Sequence, residues 1–594
     1  MYIKERQEVN ILIFSPYSGI WVHSMPEIVV ARELLSAGNK VHIIRCDGIL
    51  KKYCPAMTAY GLSYNSSDEK KAKICSSCKD ARELLDDYSG VSTTFLEDHL
   101  SSDDSIDIET IINSVDLGNF ERFRIDDYPV GKFACYEILL NHKISDMMQL
   151  EHIWEQYIEN LRQCIITYRA VSKFLLTNKI DRVVVYNSLY SLNRTTVKCA
   201  EKFGIPWSTI HGGKNTEGML QTLTVNSSDS HDLLLARSDE WYEWQDVPLN
   251  SGEIISVKKN LEYLFGAKSA FSYSTSKKSI TPADLRNRYN IDEKTKVLLC
   301  ILSSADERFA ADVVESLDFQ MTSTDSSIFS NMYEWISNLI RFTEKHQEFH
   351  LIIRVHPREF PNHRESVQST RGIELLQLSK KQHERVSWNL PSDQTSLYDL
   401  AEITDVVLNG TSTAGIELMA LGLPVVIFDS DKLFSYPREF NYVGESLDDY
   451  ENAILKATED GWSLKNSINA FRYRSFLFNV ATLSLRDIVP SRTTWSMDRI
   501  IDGLRNRKNW PIPLNFQHRM RRRELLQCYG EFVSRKLVVT AITENVETVA
   551  SLVHPTRDRS EVEEQQEILL ALQDLALKYF NTEDETGIGA AILK

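Results

Sequence analysis

The chain has 594 residues, 42% of them hydrophobic and 25% charged, and a formal net charge of -16. That composition is ordinary for a globular protein of about three to four compact units, and the acidic balance argues against a general nucleic-acid binder. No run of about twenty apolar residues predicts a membrane span and no early apolar run reads as a signal peptide. The nine cysteines, an odd number, point to a reducing, cytoplasmic setting.

Residues 9–14 read as a strand, 26–37 as a helix ended by Gly38, and 41–44 as the next strand. This is a βαβ unit with parallel strands and a right-handed crossover. Its loop carries Gly19, His23, Pro26 and Glu27. His23 is the general-base candidate, because imidazole titrates near working pH and can take a proton from a hydroxyl. Glu27 is the competing base, and Asp47, just past the second strand, is placed to orient the imidazole. Cys46, Cys54, Cys75 and Cys78 follow at irregular gaps. They suit either a tetrahedral structural zinc that staples an insertion, or free packing thiols. Cys135, Cys164, Cys199, Cys300 and Cys528 sit in apolar or helical context and read as core.

Residues 85–130 are acidic and serine-rich and read as a surface excursion. A long amphipathic helix is expected over 153–176 and a strand over 181–186, followed by Asn187. Residues 193–203 form a helix stopped by Gly204, and the strand 207–210 ends in His211, Gly212, Gly213 and Lys214. In a parallel sheet Asn187, His211 and Lys214 share a rim with His23, where an acceptor or donor would bind. The plainer reading is a glycine turn with a solvent lysine. Residues 232–267 look helical and aromatic, and 268–280 read as a serine-rich linker.

Residues 296–302 begin a second sheet and end in the small polar turn that starts with Ser303 and Ser304. A helix over 332–345 precedes the strand 349–354, which runs into Val355, His356, Pro357, Arg358 and Glu359. Proline ends the strand and fixes the turn. A histidine flanked by Arg354 and Arg358 at a strand's C-terminal edge suits a diphosphate or nucleotide phosphate. A short strand over 386–389 leads to a helix over 393–402 whose tip can touch a nucleobase. Residues 405–429 then read as strand, turn, helix, strand. The turn is Asn409, Gly410, Thr411, Ser412 and Thr413, and Gly415 and Glu417 lie in the helix. A small hydroxyl-rich turn at a helix N-terminus favours an anion, with Glu417 in reach of a sugar or ribose hydroxyl. The same residues also read as an ordinary capped helix between core strands.

RVHPRE at 354–359 followed by NGTSTAGIELMALGLPVV at 409–426 resembles the C-terminal half of GT-B glycosyltransferases of bacterial surface-polysaccharide synthesis. It is most similar to the capsule branch with an HP motif and a downstream Ser/Thr motif, itself similar to bacterial sialyltransferases and Kdo transferases. The resemblance covers residues 295–430. It implies an α/β GT-B fold, two Rossmann-like domains facing a cleft, with a helical C-terminal extension. The boundaries expected are 1–267 for the acceptor domain with its cysteine-containing insertion, 268–290 for the linker, 291–465 for the nucleotide-sugar domain and 466–594 for the crossover and extension.

By that resemblance Ser303, Ser304, Arg354, His356, Pro357 and the 409–413 turn with Gly415 and Glu417 hold a nucleotide-activated sugar. The donor is a CMP-sugar by preference, with UDP- and GDP-sugars open. The acceptor is a cell-surface polysaccharide, such as capsule or lipopolysaccharide, or a lipid-linked glycan. His23, Glu27 or Asp47 activates its hydroxyl without an essential metal ion. Arg505, Arg507, Lys508, Trp510, Arg519, Arg521, Arg522 and Arg523 form a basic, aromatic stretch. It suits peripheral contact with the inner membrane, or a plain solvated face. Residues 560–580 form an amphipathic helix suited to packing or to self-association. Two other readings stand beside the transferase: a UDP-sugar 2-epimerase, and a non-catalytic polysaccharide assembly factor on the same scaffold.

Overall fold

β1 (Asn10–Phe14) has four consecutive buried residues, Ile11 to Phe14. Leu12 and Phe14 enter the hydrophobic cluster on one face of the sheet, and Ile11 and Ile13 enter the cluster on the other. A strand covered on both faces is what parallel α/β sheets require, and it reads in sequence as an unbroken apolar run. The computed structural model describes residues 8–216, 218–226, 238–268, 273, 275–278, 280–304, 306–315, 328–362, 366–410, 412–428, 437–488, 532–544, 559–584 and 587–594.

The first sheet is built on β1, which pairs in parallel with β2 (Lys40–Arg45) and β4 (Arg182–Tyr186). β3 (Ser92–Phe95) extends the β2 side, and β5 (Trp207–Gly212) the β4 side. β6 (Thr222–Asn226) pairs antiparallel with β5, and β13 (Leu483–Ser484) antiparallel with β6. The order is β3-β2-β1-β4-β5-β6-β13. The second sheet comprises β7 (Lys296–Ile301), β8 (Phe349–Arg354), β9 (Val386–Asn389), β10 (Val406–Asn409), β11 (Val425–Ile427) and β12 (Tyr442–Val443). Its order is β9-β8-β7-β10-β11-β12, all parallel. Both orders are the 3-2-1-4-5-6 pattern of the Rossmann fold, and each reverses direction once, beside its first strand. The chain is thus an α/β protein of two Rossmann-like units with a helical C-terminal extension.

The units do not divide where the sequence places the boundaries. Met1–Ala236, Phe309–Leu317 and Val480–His554 form the first, and Arg237–Arg308, Asp318–Asn479 and Pro555–Lys594 the second. The helix Ser251–Phe265, expected in the first domain, belongs to the second. It packs against the helices Leu464–Ser475 and Glu561–Tyr579 and buries Ile254, Val257, Leu261 and Phe265. The extension is pinned there by Glu564, which is 0% exposed and accepts from Arg472 Nε at 3.0 Å, Arg472 Nη2 at 2.5 Å and the Leu249 amide at 2.8 Å. Ile568, Leu572 and Leu575 of the same helix are buried, while Leu570 and Leu577 face outward.

Two other expectations are corrected. The acidic stretch within 85–130 is a docked layer. The helix Ser102–Ile112, started by a Ser101–Asp104 capping box, buries Ile108 and Ile112. Its acids Asp104, Asp107 and Glu109 pair with Lys173, Arg169 and Arg162 of the helix Trp154–Thr177. The first helix runs from Trp21 to Ser36, so it starts before Pro26. Trp21 and Met25 are both buried, and their packing outweighs the bond that an internal proline removes. His23 therefore sits in a helical turn. No helix among the described residues is long and apolar enough to cross a membrane. The basic stretch 505–523 and Cys528 lie outside the described residues.

Candidate functional site

Each unit carries a polar cluster at the carboxyl edge of its sheet, at the strands flanking the reversal of order. Ligands of open α/β sheets gather there. In the first unit the flanking strands are β1 and β4. His23, just past β1, stacks on Tyr186, the last residue of β4, with ring centroids 4.2 Å apart and planes 21° apart. Tyr190 lies 5.3 Å from the His23 ring, and His211 of β5 lies 5.0 Å from Tyr186. Burial and the neighbouring His211 push the His23 imidazole down to about 3. Burial and Lys214 hold His211 at about 4, against the pull of its bond to the Gly212 carbonyl. Both rings are therefore neutral at physiological pH, each with a nitrogen lone pair, and both are weaker bases than the free imidazole whose titration near working pH singled out His23. Burial lowers Lys214 to about 8.

Gly213 is required in this turn, because a Cβ there would lie 1.7 Å from Thr222 Oγ1. Asn187 adopts a left-handed backbone, φ 54, and its side-chain oxygen accepts from the Leu189 amide at 2.9 Å. The turn after β4 is thereby closed, with His23, Tyr186 and Tyr190 at its lip.

Glu27 lies one helical turn beyond His23, 5% exposed. Ser15 donates to it, and Arg45, which donates to Ser15 Oγ at 3.3 Å and Ser18 Oγ at 2.9 Å, is the nearby cation. Burial outweighs both and raises the carboxyl to about 8. The first unit thus holds a protonated acid and a neutral imidazole in one turn of helix. Divergent pKa values of this kind separate a proton donor from a proton acceptor. Asp47 is exposed and pairs with Arg82 at 2.5 Å, so its carboxylate is engaged away from the role of orienting His23.

The sign of the Glu27 shift gives a stability test. Its usual value is 4.5 and its folded value about 8. The stability carried by the protonated form is whole below the usual value and is lost as pH climbs through the folded one. Glu27→Gln copies the protonated carboxyl. It is expected to exceed the wild type by upwards of about 2 kcal/mol at about pH 8.5, with the gap closing toward about pH 5, in urea denaturation.

In the second unit the flanking strands are β7 and β10, with β8 next to β7. His356 caps the turn Pro357–Glu359 that ends β8, and its Nδ1 accepts from the Arg358 amide at 3.2 Å. Burial lowers His356 to about 4, helped by Arg354, Arg358 and Arg371 and opposed by Glu307. A neutral ring whose Nδ1 accepts carries its proton on Nε2, so His356 presents an N–H donor. The two flanking arginines have other partners. Arg354, 7% exposed, donates to the Asn389 side chain and to the Thr395 carbonyl at 3.1 Å. Arg358, 4% exposed, grips Asp306 with Nε at 2.9 Å and Nη2 at 2.8 Å, and donates to the Tyr273 hydroxyl at 2.8 Å. Both hold the turn that carries His356, and Arg354 also lines the recess beside it. Ser303 and Ser304 follow β7, and Ser304 donates to Glu307 at 3.0 Å.

The turn after β10 is tied by its own asparagine. Asn409 Oδ1 accepts from the Ser412 amide at 3.1 Å and Nδ2 donates to the Ser412 carbonyl at 3.0 Å. Ser412 Oγ accepts from the Ala414 amide at 3.3 Å, so one hydroxyl is already engaged. The following helix, Ala414–Met419, has six residues, shorter than the sequence suggests. Glu417 accepts from the Tyr398 hydroxyl at 2.7 Å; burial raises its carboxyl against the pull of Arg474 and Tyr398. Gly422 is needed at φ 92, where a Cβ would strike the Trp462 indole at 2.2 Å. Gly410 and Thr413 lie in the turn, Gly415 in the helix, and Thr411 outside the described residues.

A small recess opens beside the His356 turn. It is lined by Arg354, Val355 and Pro357, by Pro391, Gln394 and Thr395, and by Tyr273 and Thr275. Tyr273, Asp306, Tyr186 and Tyr190 were not singled out from sequence. For Tyr186 the signal was a hydroxyl-bearing ring at the carboxyl end of an apolar strand. Asp429, Ser430 and Asp431, an acid pair directly after β11, were also passed over and lie outside the described residues.

The cysteines do not form the expected knuckle. Cys75 and Cys78 lie three residues apart within the helix Asp68–Ser89, not in a loop. Cys78 Sγ accepts from the Gly19 amide at 2.9 Å, and Cys46 Sγ from the Gly48 amide at 3.2 Å. Cys46, Cys54, Cys75 and Cys78 form no disulfide, and burial raises Cys46 to about 12. Among the described residues no three His, Cys, Asp or Glu side chains are gathered to hold a metal ion.

No family model matches the chain, and no curated protein matches it in sequence. Solved structures match it at low identity and low structural overlap. One is KpsC, a beta Kdo 2,4 transferase of Thermosulfurimonas dismutans, at 14% identity over 49% of this chain and 87% of that one, TM-score 0.26. Another is the UDP-GlcNAc 2-epimerase of Methanocaldococcus jannaschii, in complex with UDP-GlcNAc and UDP, at 12% over 79% and 98%, TM-score 0.26. A third is CalG4, the calicheamicin glycosyltransferase, at 12% over 85% and 100%, TM-score 0.23.

Proposed function

We propose that this protein is a GT-B glycosyltransferase that moves a sugar from a nucleotide-activated donor to a cell-surface or lipid-linked glycan. The observation that carries the reading is His356, held as a neutral Nε2–H donor just past β8, beside a small recess lined by Tyr273, Arg354 and Gln394 among others. A preorganised donor there stabilises charge building on a leaving phosphate. His23 takes the proton of the acceptor hydroxyl as the new glycosidic bond forms and the sugar–phosphate bond breaks. A CMP-sugar is the preferred donor, on the resemblance of the HP and Ser/Thr turns, and the reaction needs no metal. The setting is the cytoplasm, at the inner face of the membrane.

The test is thermal denaturation with CMP, CDP, UDP, GDP and AMP, run on wild type, His356→Ala and His23→Ala. A nucleotide at a hundred times its dissociation constant adds about 2.7 kcal/mol. One nucleotide is expected to protect wild type and His23→Ala but not His356→Ala, while His23→Ala has lost transfer. Protection by none sinks the reading. Loss of transfer on chelation would end the metal-independent version.

One observation favours an epimerase as the second reading. His23 and Glu27, an imidazole and a protonated carboxyl one helical turn apart, are a proton acceptor and a proton donor within one helix of the first unit. Deuterium entering a UDP-sugar from heavy water with no acceptor present would select it. Nucleotide protection with neither exchange nor transfer would select the assembly factor.

A further inference from the structure

The residues that sequence reads as a linker lie within the second unit and are fastened there by a series of specific bonds. The Lys277 ammonium is 2% exposed and pairs with Glu402 at 2.8 Å. The Lys278 amide donates to Asp399 Oδ1 at 2.9 Å, and the Lys278 ammonium to Gln394 Oε1 at 3.3 Å. Four residues earlier, Tyr273 accepts from Arg358 at 2.8 Å and sets its ring edge-on to His356, centroids 5.8 Å apart. Asp306, Arg358 and Tyr273 form a brace. It joins the start of the helix Asp306–Glu315, the His356 turn and the linker.

That brace fixes one side of the recess. Tyr273 and Thr275 line it together with Arg354, Val355, Pro357 and Pro391, and Gln394 and Thr395 complete it. A recess that combines an aromatic ring, apolar side chains, a guanidinium and hydrogen-bonding groups has the chemistry that takes a planar heterocycle attached to a sugar. The bond from Lys278 occupies Gln394 Oε1, which leaves the amide N–H groups to donate.

We propose that the linker supplies one wall of the nucleoside slot of the donor site, with Tyr273 setting both the width of the slot and the position of His356. This rests on the nucleotide-sugar reading above. The Tyr273 ring touches the bound nucleoside directly. On His356 it acts as a positioning residue, through the ring edge that keeps water off the imidazole. Residues that sequence reads as a passive spacer thus belong to the binding site.

The experiment uses the full chain and whichever nucleotide of the panel protects the wild type. Tyr273→Ala is expected to bind that nucleotide roughly ten- to a hundredfold more weakly, the range for loss of an aromatic wall against a base. Tyr273→Phe keeps the ring and stays within about threefold. Thr275→Trp, at an exposed position, fills the slot and abolishes protection while the ligand-free melting temperature is unchanged.

A second readout separates positioning from simple loss of structure. With histidine labelled at Cε1, the His356 resonance, assigned by its absence in His356→Ala, stays flat from about pH 5.5 to about pH 8 in wild type and Tyr273→Phe. In Tyr273→Ala it titrates, because water reaches the ring. Protection of Tyr273→Ala and Thr275→Trp equal to that of the wild type overturns the linker wall and leaves the functional reading standing. A flat His356 resonance in Tyr273→Ala overturns the positioning role. A wild type that no nucleotide protects overturns the functional reading, and the linker wall with it.

Discussion

Arg358→Ala is expected to destabilise the second unit by about 3–5 kcal/mol, the range for removing one partner of a buried ion pair. Arg358 and Asp306 are 4% and 3% exposed and meet through two close contacts, at 2.9 and 2.8 Å. Removing the guanidinium leaves a carboxylate with water shut out on most sides and also strips the Tyr273 hydroxyl of its donor. Burial already raises Asp306 from 3.8 to about 6 even with the arginine present. Without it the carboxyl takes up a proton more readily, so the loss is smaller at about pH 5 than at about pH 8. Asp306→Asn in the Arg358→Ala background removes the stranded charge and recovers part of the deficit. Urea denaturation at the two pH values checks both statements. A deficit that is independent of pH, with no recovery in the double variant, would mean that lost packing dominates.

The second large effect is at Glu564. Glu564→Ala strands the Arg472 guanidinium and leaves the Leu249 amide without its acceptor, and about 3–5 kcal/mol is again the expected cost. The damage should be local. Amide exchange rises in the helices Glu561–Tyr579 and Ser251–Phe265, while β1, β2 and β4 keep their protection. Replacing both partners with apolar residues, Arg472→Met with Glu564→Leu, is expected to recover most of the stability, because neither charge then has to be desolvated. Uniform exchange across both units in Glu564→Ala would show instead that the extension holds the whole chain together.

The central strands were legible because burial on both faces writes them as apolar runs, as at 296–301 and 349–354. The edges were not. β3 reads Ser-Thr-Thr-Phe, and β12 and β13 have two residues each, too short and too polar for any periodicity to show. His356 was legible through Pro357, which announces the end of β8. The further bonds of its neighbours were not: Arg354 lines the recess and also holds the turn, and Arg358 is engaged elsewhere. The strand end sends one toward Asn389 and Thr395 and the turn sends the other toward Asp306. The cysteine spacing suggested a knuckle, although Ala81 and Leu85 beyond it continue a helical stripe of buried residues. The allegiance of Ser251–Phe265 depends on partners about 200 and 300 residues later, which no local window contains.

The route of the chain has a consequence for how the protein is made. The first sheet receives its last strand, β13, only at residues 483–484, and Glu33 in its first helix waits for Arg535. The second unit is closed by the helix that begins at residue 561. On a ribosome that extends the chain by roughly 5–20 residues each second, the edge of β6 therefore stays unpaired for many seconds after β1 to β6 have emerged. An open strand edge is a template for pairing with another chain. Nascent chains stalled anywhere between residues 226 and 483 are the form of this protein most in need of a chaperone, and fragments ended at residue 465 should aggregate rather than fold.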